Sequence, residues 1–347
     1  MNIDEKYMRR ALQLAALGRG NVSPNPMVGA VIVADGKIIG EGFHRCYGEA
    51  HAEVNAVNAV ADRSLLSRAT IYVTLEPCSH YGKTPPCAML LVDVGIRRVV
   101  VGAPDPFPAV SGRGIAMLRA AGIEVTEGVL EKECNALNRC FMTAHVGQRP
   151  YVMLKWAQSA DGFIDRVRSD ASLPPVTFSN AMSSLWMHRE RADMDAIIVG
   201  AATAKLDNPS LTVRQWSARR QPLRVLLDAM LTVPTDCRLY TDGYPTIVYN
   251  EVEQGTIGSV ERVMIHDGDL RQCLADLYRR GVTSVMVEGG ANVLTQFIKA
   301  QLWDEARVET SPVVLGFGVA APVLSMEPIR IGHHGQNIVK YFVQSVK

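Results

Sequence analysis

The sequence predicts an α/β protein built from two consecutive domains. At roughly 100–200 residues per domain, a chain of 347 residues is long enough for two, and its apolar fraction of 48% can fill ordinary globular cores. Short β-rich runs alternate with helical patterns, which predicts a three-layer α/β sandwich first and a further α/β series after it. Residues 146–150 look like a linker, so we expect one domain at 1–145 and another at 146–347.

The first domain opens with an amphipathic helical pattern, for which Asp4 is the expected N-cap and Met8 and Ala11 belong to the apolar face. Apolar runs at 28–33 and 38–42 predict a β-hairpin. The elements expected after the hairpin are helix 50–60, strand 69–74, helix 86–94, strand 98–101, helix 114–121, strand 123–126 and a closing helix at 131–145.

The second domain repeats the alternation, and one of its apolar strands ends in two glycines. Glycines let the backbone approach a phosphate, and a helical pattern follows Gly289 and Gly290, so its free N–H groups make this turn a candidate phosphate site. A purely structural turn is the alternative, because the dinucleotide fingerprint G-x-G-x-x-G is absent. Strands are expected at 151–156, 196–199, 223–227, 246–249, 262–265, 284–287 and 306–311.

Net charge, apolar runs and cysteine spacing narrow the classes of function. The formal net charge is +1, so the chain has no overall basic excess of the kind that nucleic acid or anionic membranes attract. No apolar run approaches the ~20 residues that span a bilayer. The seven cysteines are unevenly spaced and no signal-peptide pattern is present, which indicates reduced thiols in the cytoplasm. We therefore expect small-molecule substrates and no nucleic-acid or membrane partner.

Four residues of the first domain form a pattern that is typical of zinc-dependent deaminases. His51 precedes Glu53 at the expected start of a helix, and Cys78 and Cys87 follow the next strand. One imidazole and two thiolates suit zinc, and they leave a fourth position for the water that a catalytic zinc activates. Glu53 can lie beside that water and carry its proton. Buried core cysteines and a surface histidine are the alternative for any one of these residues, but the alternative does not explain the set.

The spacing of the two cysteines departs from the general deaminase signature, H-x-E with P-C-x-x-C, because the second cysteine comes nine positions after the first instead of three. The segment T-L-E-P-C-S-H-Y-G-K-T-P-P-C at 74–87 resembles instead the bifunctional riboflavin-biosynthesis deaminase/reductase family. The resemblance extends to S-P-N-P-M-V-G-A-V at 23–31 and to G-A-P-D-P at 102–106. It implies a cytidine-deaminase-like first domain with one zinc ion held by His51, Cys78 and Cys87, and with Glu53 as the catalytic residue.

The same resemblance implies a set of contacts to a pyrimidine ribose-phosphate. Read without the family, these positions also fit a turn former or ordinary surface residues. His80, which lies between the two cysteines, is a candidate for orienting the metal ligands. Family members commonly have asparagine where this chain has Phe107, so no polar contact is expected from that position. The implied substrate residues are Asn25, His44, Lys83 and Thr84.

Residues 151–324 resemble the reductase half of the same family, a domain similar to dihydrofolate reductase. Many relatives carry a tryptophan where this chain has Thr177, so the cofactor contact of that ring is lost here or replaced by another group. The residues that the family implies for NADPH are Thr203, Asp207, Gly290, Ala291, Asn292, Val293, Leu294, Thr295 and Gln296. Those that it implies for the sugar-phosphate substrate are Lys155, Arg191, Leu211, Arg214 and Glu288.

The family resemblance implies a two-step enzyme that needs zinc and NADPH. The first domain deaminates 2,5-diamino-6-ribosylamino-4(3H)-pyrimidinone 5′-phosphate, and the second reduces the ribosyl group to ribityl. Relatives are often dimers, so a homodimer is also expected. A tRNA-adenosine or free-base deaminase with an appended domain is one alternative, and it predicts closely spaced cysteines. A non-catalytic pyrimidine-phosphate-binding protein is another, and it predicts the loss of a zinc ligand or of the glutamate.

Overall fold

The computed structural model describes residues 2–79, 85–107 and 111–344. The chain forms two compact units, Met1–Gln148 and Arg149–Lys347. The boundary between them along the chain falls within the expected linker at 146–150. No helix in the described residues is long and apolar enough to cross a membrane.

The first unit alternates helices and strands in the order that the sequence predicts. Its helices are α1 (Ile3–Ala15), α2 (Ala52–Asn58), α3 (Cys87–Asp93), α4 (Arg113–Ala120), α5 (Glu131–Leu137) and α6 (Arg139–Gly147). Its strands are β1 (Gly29–Ala34), β2 (Lys37–Phe43), β3 (Thr70–Leu75), β4 (Arg98–Ala103) and β5 (Glu124–Thr126).

The strands form a mixed sheet in the order β2-β1-β3-β4-β5. Strand β1 is antiparallel to β2 and β3, whereas β3, β4 and β5 run parallel. Apolar side chains of α2, α3 and α4 pack on one face of the sheet, and those of α1 and α5 pack on the other. The predicted three-layer sandwich is therefore confirmed.

Helix α2 lies directly against the hairpin because two residues of β2 have no side chain. A Cβ atom on Gly42 would lie 2.3 Å from the backbone nitrogen of Ala56, and one on Gly40 would lie 2.5 Å from its carbonyl oxygen. This close approach sets the height of α2 above the sheet. It therefore also sets the position of His51 and Glu53 at the start of that helix.

Two local predictions in the first unit were wrong. The N-cap of α1 is Asn2, whose side chain accepts the N–H of Asp4, while the Asp4 carboxylate is buried against another part of the unit. The single helix expected at 131–145 is divided at Asn138. The amide of Asn138 accepts the N–H of Met27 at 2.8 Å and donates to its carbonyl at 2.9 Å, so a long-range contact determines the break.

The second unit is also α/β. Its helices are α7 (Ala181–Asp193), α8 (Ala201–Asp207), α9 (Arg238–Thr241), α10 (Leu270–Arg279) and α11 (Ala291–Lys299). Its strands are β6 (Tyr151–Gln158), β7 (Phe163–Asp165), β8 (Ala196–Gly200), β9 (Leu223–Leu227), β10 (Thr246–Asn250), β11 (Gly255–Ile257), β12 (Val260–Met264), β13 (Ser284–Val287), β14 (Glu305–Thr310), β15 (Val319–Ala320), β16 (Arg330–His334) and β17 (Asn337–Val343).

Most of these strands join one sheet in the order β11-β12-β10-β9-β8-β13-β6-β14-β17-β16. In this sheet order, the strands from β12 through β10, β9, β8, β13 and β6 to β14 are parallel and largely apolar. Every strand that the sequence predicts for the second domain is among them. The edge strands β11 and β16, and β17 next to β16, pair antiparallel and were not predicted. Their side chains are largely exposed or mixed, so they lack the apolar run of a buried strand.

The buried Asp4 carboxylate leads to a stability prediction. It accepts hydrogen bonds from Arg98 at 3.0 and 2.9 Å and from the Tyr72 hydroxyl at 2.9 Å, and these contacts join α1 to β3 and β4. We expect Asp4→Asn to lower the free energy of unfolding by about 2 kcal/mol at neutral pH, because hydrogen bonds to a charged group are lost. Urea unfolding measures the change.

The pH dependence of that loss distinguishes the ion pair from a packing defect. The hydrogen bonds from Arg98 lower the pKa of Asp4 below its ordinary value of 3.8. The stabilisation is therefore present above pH 3.8 and lost as the pH falls through the lower folded-state pKa. The free energies of unfolding of Asp4→Asn and the parent protein should therefore converge in acid. The exposed control Asp93→Asn should stay within about 0.5 kcal/mol of the parent. A loss for Asp4→Asn that does not change with pH would contradict this explanation.

Candidate functional site

Three metal-ligating side chains converge at the carboxyl end of β3. His51 precedes α2, Cys78 follows β3, and Cys87 is the first residue of α3. Their ligand atoms lie within 4.8 Å of one another, with His51 Nδ1 3.6 Å from Cys78 Sγ and 3.3 Å from Cys87 Sγ. One nitrogen and two sulfur donors at this separation fit a tetrahedral zinc ion with a fourth position open.

The two thiols differ in their ease of ionisation. Hydrogen bonds from Cys87 and His51 to its sulfur lower the pKa of Cys78 to about 4, and the Cys87 backbone N–H also donates to that sulfur at 3.2 Å. The neighbouring Cys78 sulfur and burial raise the pKa of Cys87. A metal ligand must be a thiolate, so the site offers one thiolate readily and needs a cation to ionise the second.

Glu53 lies in the first turn of α2 and is 3% exposed. Burial, together with the nearby Cys78 sulfur, raises the pKa of its carboxyl to about 7. A carboxyl group with such a pKa can take up and release a proton near neutral pH.

A cavity of about 330 Å³ opens beside the metal ligands and contains two of the predicted substrate residues. The Asn25 amide nitrogen lies 3.2 Å from His44 Nε2, and His44 Nδ1 lies 3.2 Å from the carbonyl of Ala50. Burial lowers the pKa of His44, so the ring is neutral, with its proton on Nδ1 toward Ala50. The other predicted residues of this site, Lys83 and Thr84, and also His80, lie outside the described residues.

Glu76 is a buried residue of this site that the sequence analysis did not single out. Its carboxylate accepts the backbone N–H groups of Gly112 at 3.0 Å and of Gly114 at 3.0 Å, at the start of α4. A Cβ atom on Gly114 would lie 2.0 Å from the carbonyl oxygen of Pro77. Glu76 and Gly114 thus hold the turn that carries Cys78. In the sequence, only the position of Glu76 next to Pro77-Cys78 pointed to a role at this site. The N–H groups that its carboxylate accepts lie in a loop more than 30 residues away.

An aromatic group lines the same cavity. Phe107, Phe141 and His145 all border it, and the His145 ring centroid lies 5.3 Å from that of Phe107 and 4.4 Å from that of Phe141. Burial lowers the pKa of His145, which favours its neutral form. Phe107 thus replaces a polar contact with an apolar wall. Only Phe107 had a sequence signal, because the other two lie on the following helix α6.

The second unit contains a cavity of about 960 Å³. It lies by the carboxyl ends of the parallel strands β6, β8 and β13, where α/β sheets bind ligands. The predicted residues that line it are Lys155, Thr203, Asp207, Arg214, Glu288, Gly290, Ala291, Asn292, Val293 and Gln296. The predicted residues outside its lining are Arg191, Leu211, Leu294 and Thr295, and Leu294 is fully buried in the core.

The two glycines before α11 meet α8 at this cavity. The backbone N–H of Gly290 donates to the hydroxyl of Thr203 at 3.0 Å, and a Cβ atom on Gly290 would lie 3.2 Å from the same oxygen. The glycine turn therefore lines the cavity at the N-terminus of α11 and is held against α8. This arrangement fits a cofactor that carries phosphate groups.

Charged side chains also line this cavity, among them Lys155 and Glu288, which directly precedes the glycine turn. Arg191 donates to both oxygens of Glu288 at 2.6 Å and also to the carbonyl of Thr212 at 3.1 Å. Burial opposes the ionisation of Glu288, but Arg191 and Lys155 lower its pKa. Burial also lowers the pKa of Lys155. Arg191 therefore contributes by holding Glu288 and the backbone of Thr212.

Comparison with known proteins agrees with both halves of the site. Residues 1–103 match the family model described as cytidine and deoxycytidylate deaminase zinc-binding region, and residues 150–332 match the RibD C-terminal domain. Riboflavin biosynthesis protein RibD of Bacillus amyloliquefaciens is 41% identical, over 94% of this chain and 89% of the relative. The RibD protein of Aquifex aeolicus is 38% identical over 98% of both chains.

Solved structures agree along the whole chain. A diaminohydroxyphosphoribosylaminopyrimidine deaminase/5-amino-6-(5-phosphoribosylamino)uracil reductase from Thermotoga maritima has a TM-score of 0.87 and 36% identity, over 99% of both chains. Acinetobacter baumannii RibD has a TM-score of 0.89 and 33% identity over the same shares. A deaminase with an unrelated appended domain is not favoured, because these relatives match both domains. The chain therefore belongs to the RibD family and is a bifunctional riboflavin-biosynthesis enzyme, with a zinc-dependent deaminase and an NADPH-dependent reductase.

Proposed function

We propose that the first domain, 1–145, hydrolytically deaminates 2,5-diamino-6-ribosylamino-4(3H)-pyrimidinone 5′-phosphate. The second domain, 146–347, then reduces the ribosyl side chain of the product to ribityl. The observation that carries the first step is the cluster of His51, Cys78 and Cys87 beside the buried Glu53. The deaminase and reductase activities of the Thermotoga maritima relative support the choice of substrate.

In the first step, His51, Cys78 and Cys87 would hold zinc, which would supply the Lewis acidity that makes water a nucleophile near neutral pH. Glu53 accepts a proton from the water whose oxygen bonds to C2 of the pyrimidine. It delivers this proton to the ring nitrogen, then takes the remaining proton from the same oxygen and delivers it to the exocyclic amine. The bond between C2 and that amine breaks, and ammonia leaves.

Substrate binding in the first domain uses a polar group and an apolar group. The amide of Asn25 and the neutral ring of His44 offer hydrogen bonds to the pyrimidine or its sugar, and their mutual contact of 3.2 Å supports this role. The aromatic wall of Phe107, Phe141 and His145 offers packing for a planar ring. Lys83 and Thr84 stay predicted contacts of the phosphate.

In the second step, NADPH would supply the hydride that reduces the sugar C1′. The cavity-lining residues that would bind the cofactor are Thr203, Asp207, Gly290, Ala291, Asn292, Val293 and Gln296, whereas Leu294 and Thr295 lie outside the lining and support the helix. The sugar-phosphate would lie beside Lys155, Arg214 and Glu288, which line the cavity, because the guanidinium of Arg214 suits phosphate. Of the other residues predicted for the substrate, Arg191 and Leu211 lie outside the lining, and Arg191 holds Glu288 in place.

We further propose that the enzyme acts in the cytoplasm as a homodimer, without nucleic-acid or membrane partners. All seven cysteines are free thiols, which supports a reducing compartment.

The proton-carrying role of Glu53 is tested by Glu53→Gln. We expect zinc content to stay near one ion per chain while deamination falls at least ~100-fold, because only the proton acceptor is lost. Ammonia release and metal analysis measure the two effects. The exposed control Glu133→Gln should behave like the parent protein. Retained deamination in a zinc-loaded Glu53→Gln protein would show that another group moves the proton.

The supporting role of Glu76 is tested by Glu76→Gln. The amide nitrogen of glutamine cannot accept the backbone N–H groups that one carboxylate oxygen now accepts, so the turn at Cys78 should loosen. We expect zinc affinity to fall about 10–100-fold, as measured by competition with a chelator. The matched surface change Glu127→Gln should leave it unchanged. Equal zinc affinity in both variants would contradict the role of Glu76.

The cofactor turn is tested by Thr203→Val. The backbone N–H of Gly290 loses its acceptor, so we expect the KM for NADPH to rise about fivefold, while ammonia release stays unchanged. NADPH absorbance at saturating reductase substrate measures the KM. Thr256→Val, on the exposed edge strand β11, is the matched control. An unchanged KM would remove Thr203 from the proposed cofactor site.

A further inference from the structure

We propose that Arg168 is a positioning residue of the reductase site, which joins two walls of the cofactor cavity and neutralises two carboxylates that line it. This inference rests on the proposed function, since it takes NADPH as the occupant of that part of the cavity. We call Asp165, Arg168 and Asp207 the Arg168 clamp, and all three residues line the cavity.

The guanidinium of Arg168 is almost completely enclosed, with 2% of the side chain exposed. Its Nε donates to Asp165 at 2.7 Å, and another nitrogen forms an ion pair with Asp207. The remaining nitrogen donates to the carbonyl of Leu173 at 3.2 Å and to that of Leu206 at 3.1 Å. Every nitrogen of the group therefore has a protein partner, so Arg168 acts on the cofactor through the residues that it holds.

The clamp connects parts of the chain that are distant in sequence. Asp165 ends β7, and its second oxygen accepts the backbone N–H of Val176 at 2.9 Å. Asp207 ends α8, the helix whose Thr203 contacts the glycine turn. Arg168 thus ties the wall at 173–177 to the cofactor side of the cavity. That wall contains Thr177, and the clamp holds it through the carbonyl of Leu173 and the N–H of Val176.

Charge provides the second part of the argument. Two carboxylates and one guanidinium give the clamp a net charge of −1, whereas the carboxylates alone would carry −2. NADPH brings negatively charged phosphates into the same cavity, and like charges repel more strongly where water is partly excluded. Removing Arg168 would therefore both release the 173–177 wall and increase repulsion of the cofactor.

The test compares two arginines that are two positions apart in the full-length, zinc-loaded protein. Arg168→Met should raise the KM for NADPH by about tenfold, with kcat changed less and ammonia release unchanged. The exposed Arg166 is the matched control, and Arg166→Met should keep the parent KM. Arg168→Lys, which keeps the charge but not the forked donors, should give an intermediate KM. Equal KM values for Arg168→Met and Arg166→Met would overturn the proposal.

A double variant separates electrostatics from a general loss of structure. Adding Asp207→Asn to Arg168→Met removes one of the two uncompensated carboxylates. The KM for NADPH should then be lower than in Arg168→Met alone, and by more at low than at high salt. If Arg168→Met instead lowers thermal stability and both activities together, with no selective change in KM, the residue is only structural and the proposal is wrong. If the parent protein releases ammonia but oxidises no NADPH, the proposed reductase function fails instead.

Discussion

The deaminase site depends on the convergence of two helix starts on the end of one strand. His51 caps α2 and Cys87 begins α3, so both ligands lie where backbone N–H groups point outward and favour negative charge. Cys78 is brought to them by the turn after β3. The Glu76 carboxylate holds that turn by accepting N–H groups at the start of α4. The proposed metal binding and proton transfer both depend on this arrangement.

The reductase site also lies where the ends of several strands and helices converge, but other contacts hold them together. Parallel strands end at one edge of the sheet, and a glycine turn leads from β13 into α11. Here the neighbouring walls are joined by ion pairs of two enclosed arginines, Arg191 with Glu288 and Arg168 with Asp165 and Asp207. A buried charge is costly unless it is paired, so each arginine depends on its carboxylate partners and links the elements that carry them.

Sequence patterns predicted the central elements of both units well, because buried strands are apolar and regularly alternate with helices. They failed where a distant partner decides the local structure. Asp4 looked like an N-cap but instead pairs with Arg98, and Asn138 breaks a helix because its amide binds the backbone of Met27. Strands β16 and β17 lack a buried apolar run, and pairing defines them, β17 with β14 and the edge strand β16 with β17.

The sequence by itself determined the chemistry of the zinc site. His51 and Glu53 are two residues apart on one helix start, and Cys78 and Cys87 flank a segment characteristic of the family, so local spacing and residue type were sufficient. The tertiary structure alone decided which residues support that chemistry. Glu76, His145 and Arg168 act across gaps of 30 residues or more, or through backbone atoms. Such contacts depend on how elements pack, and the identity of their partners leaves no periodic trace in the chain.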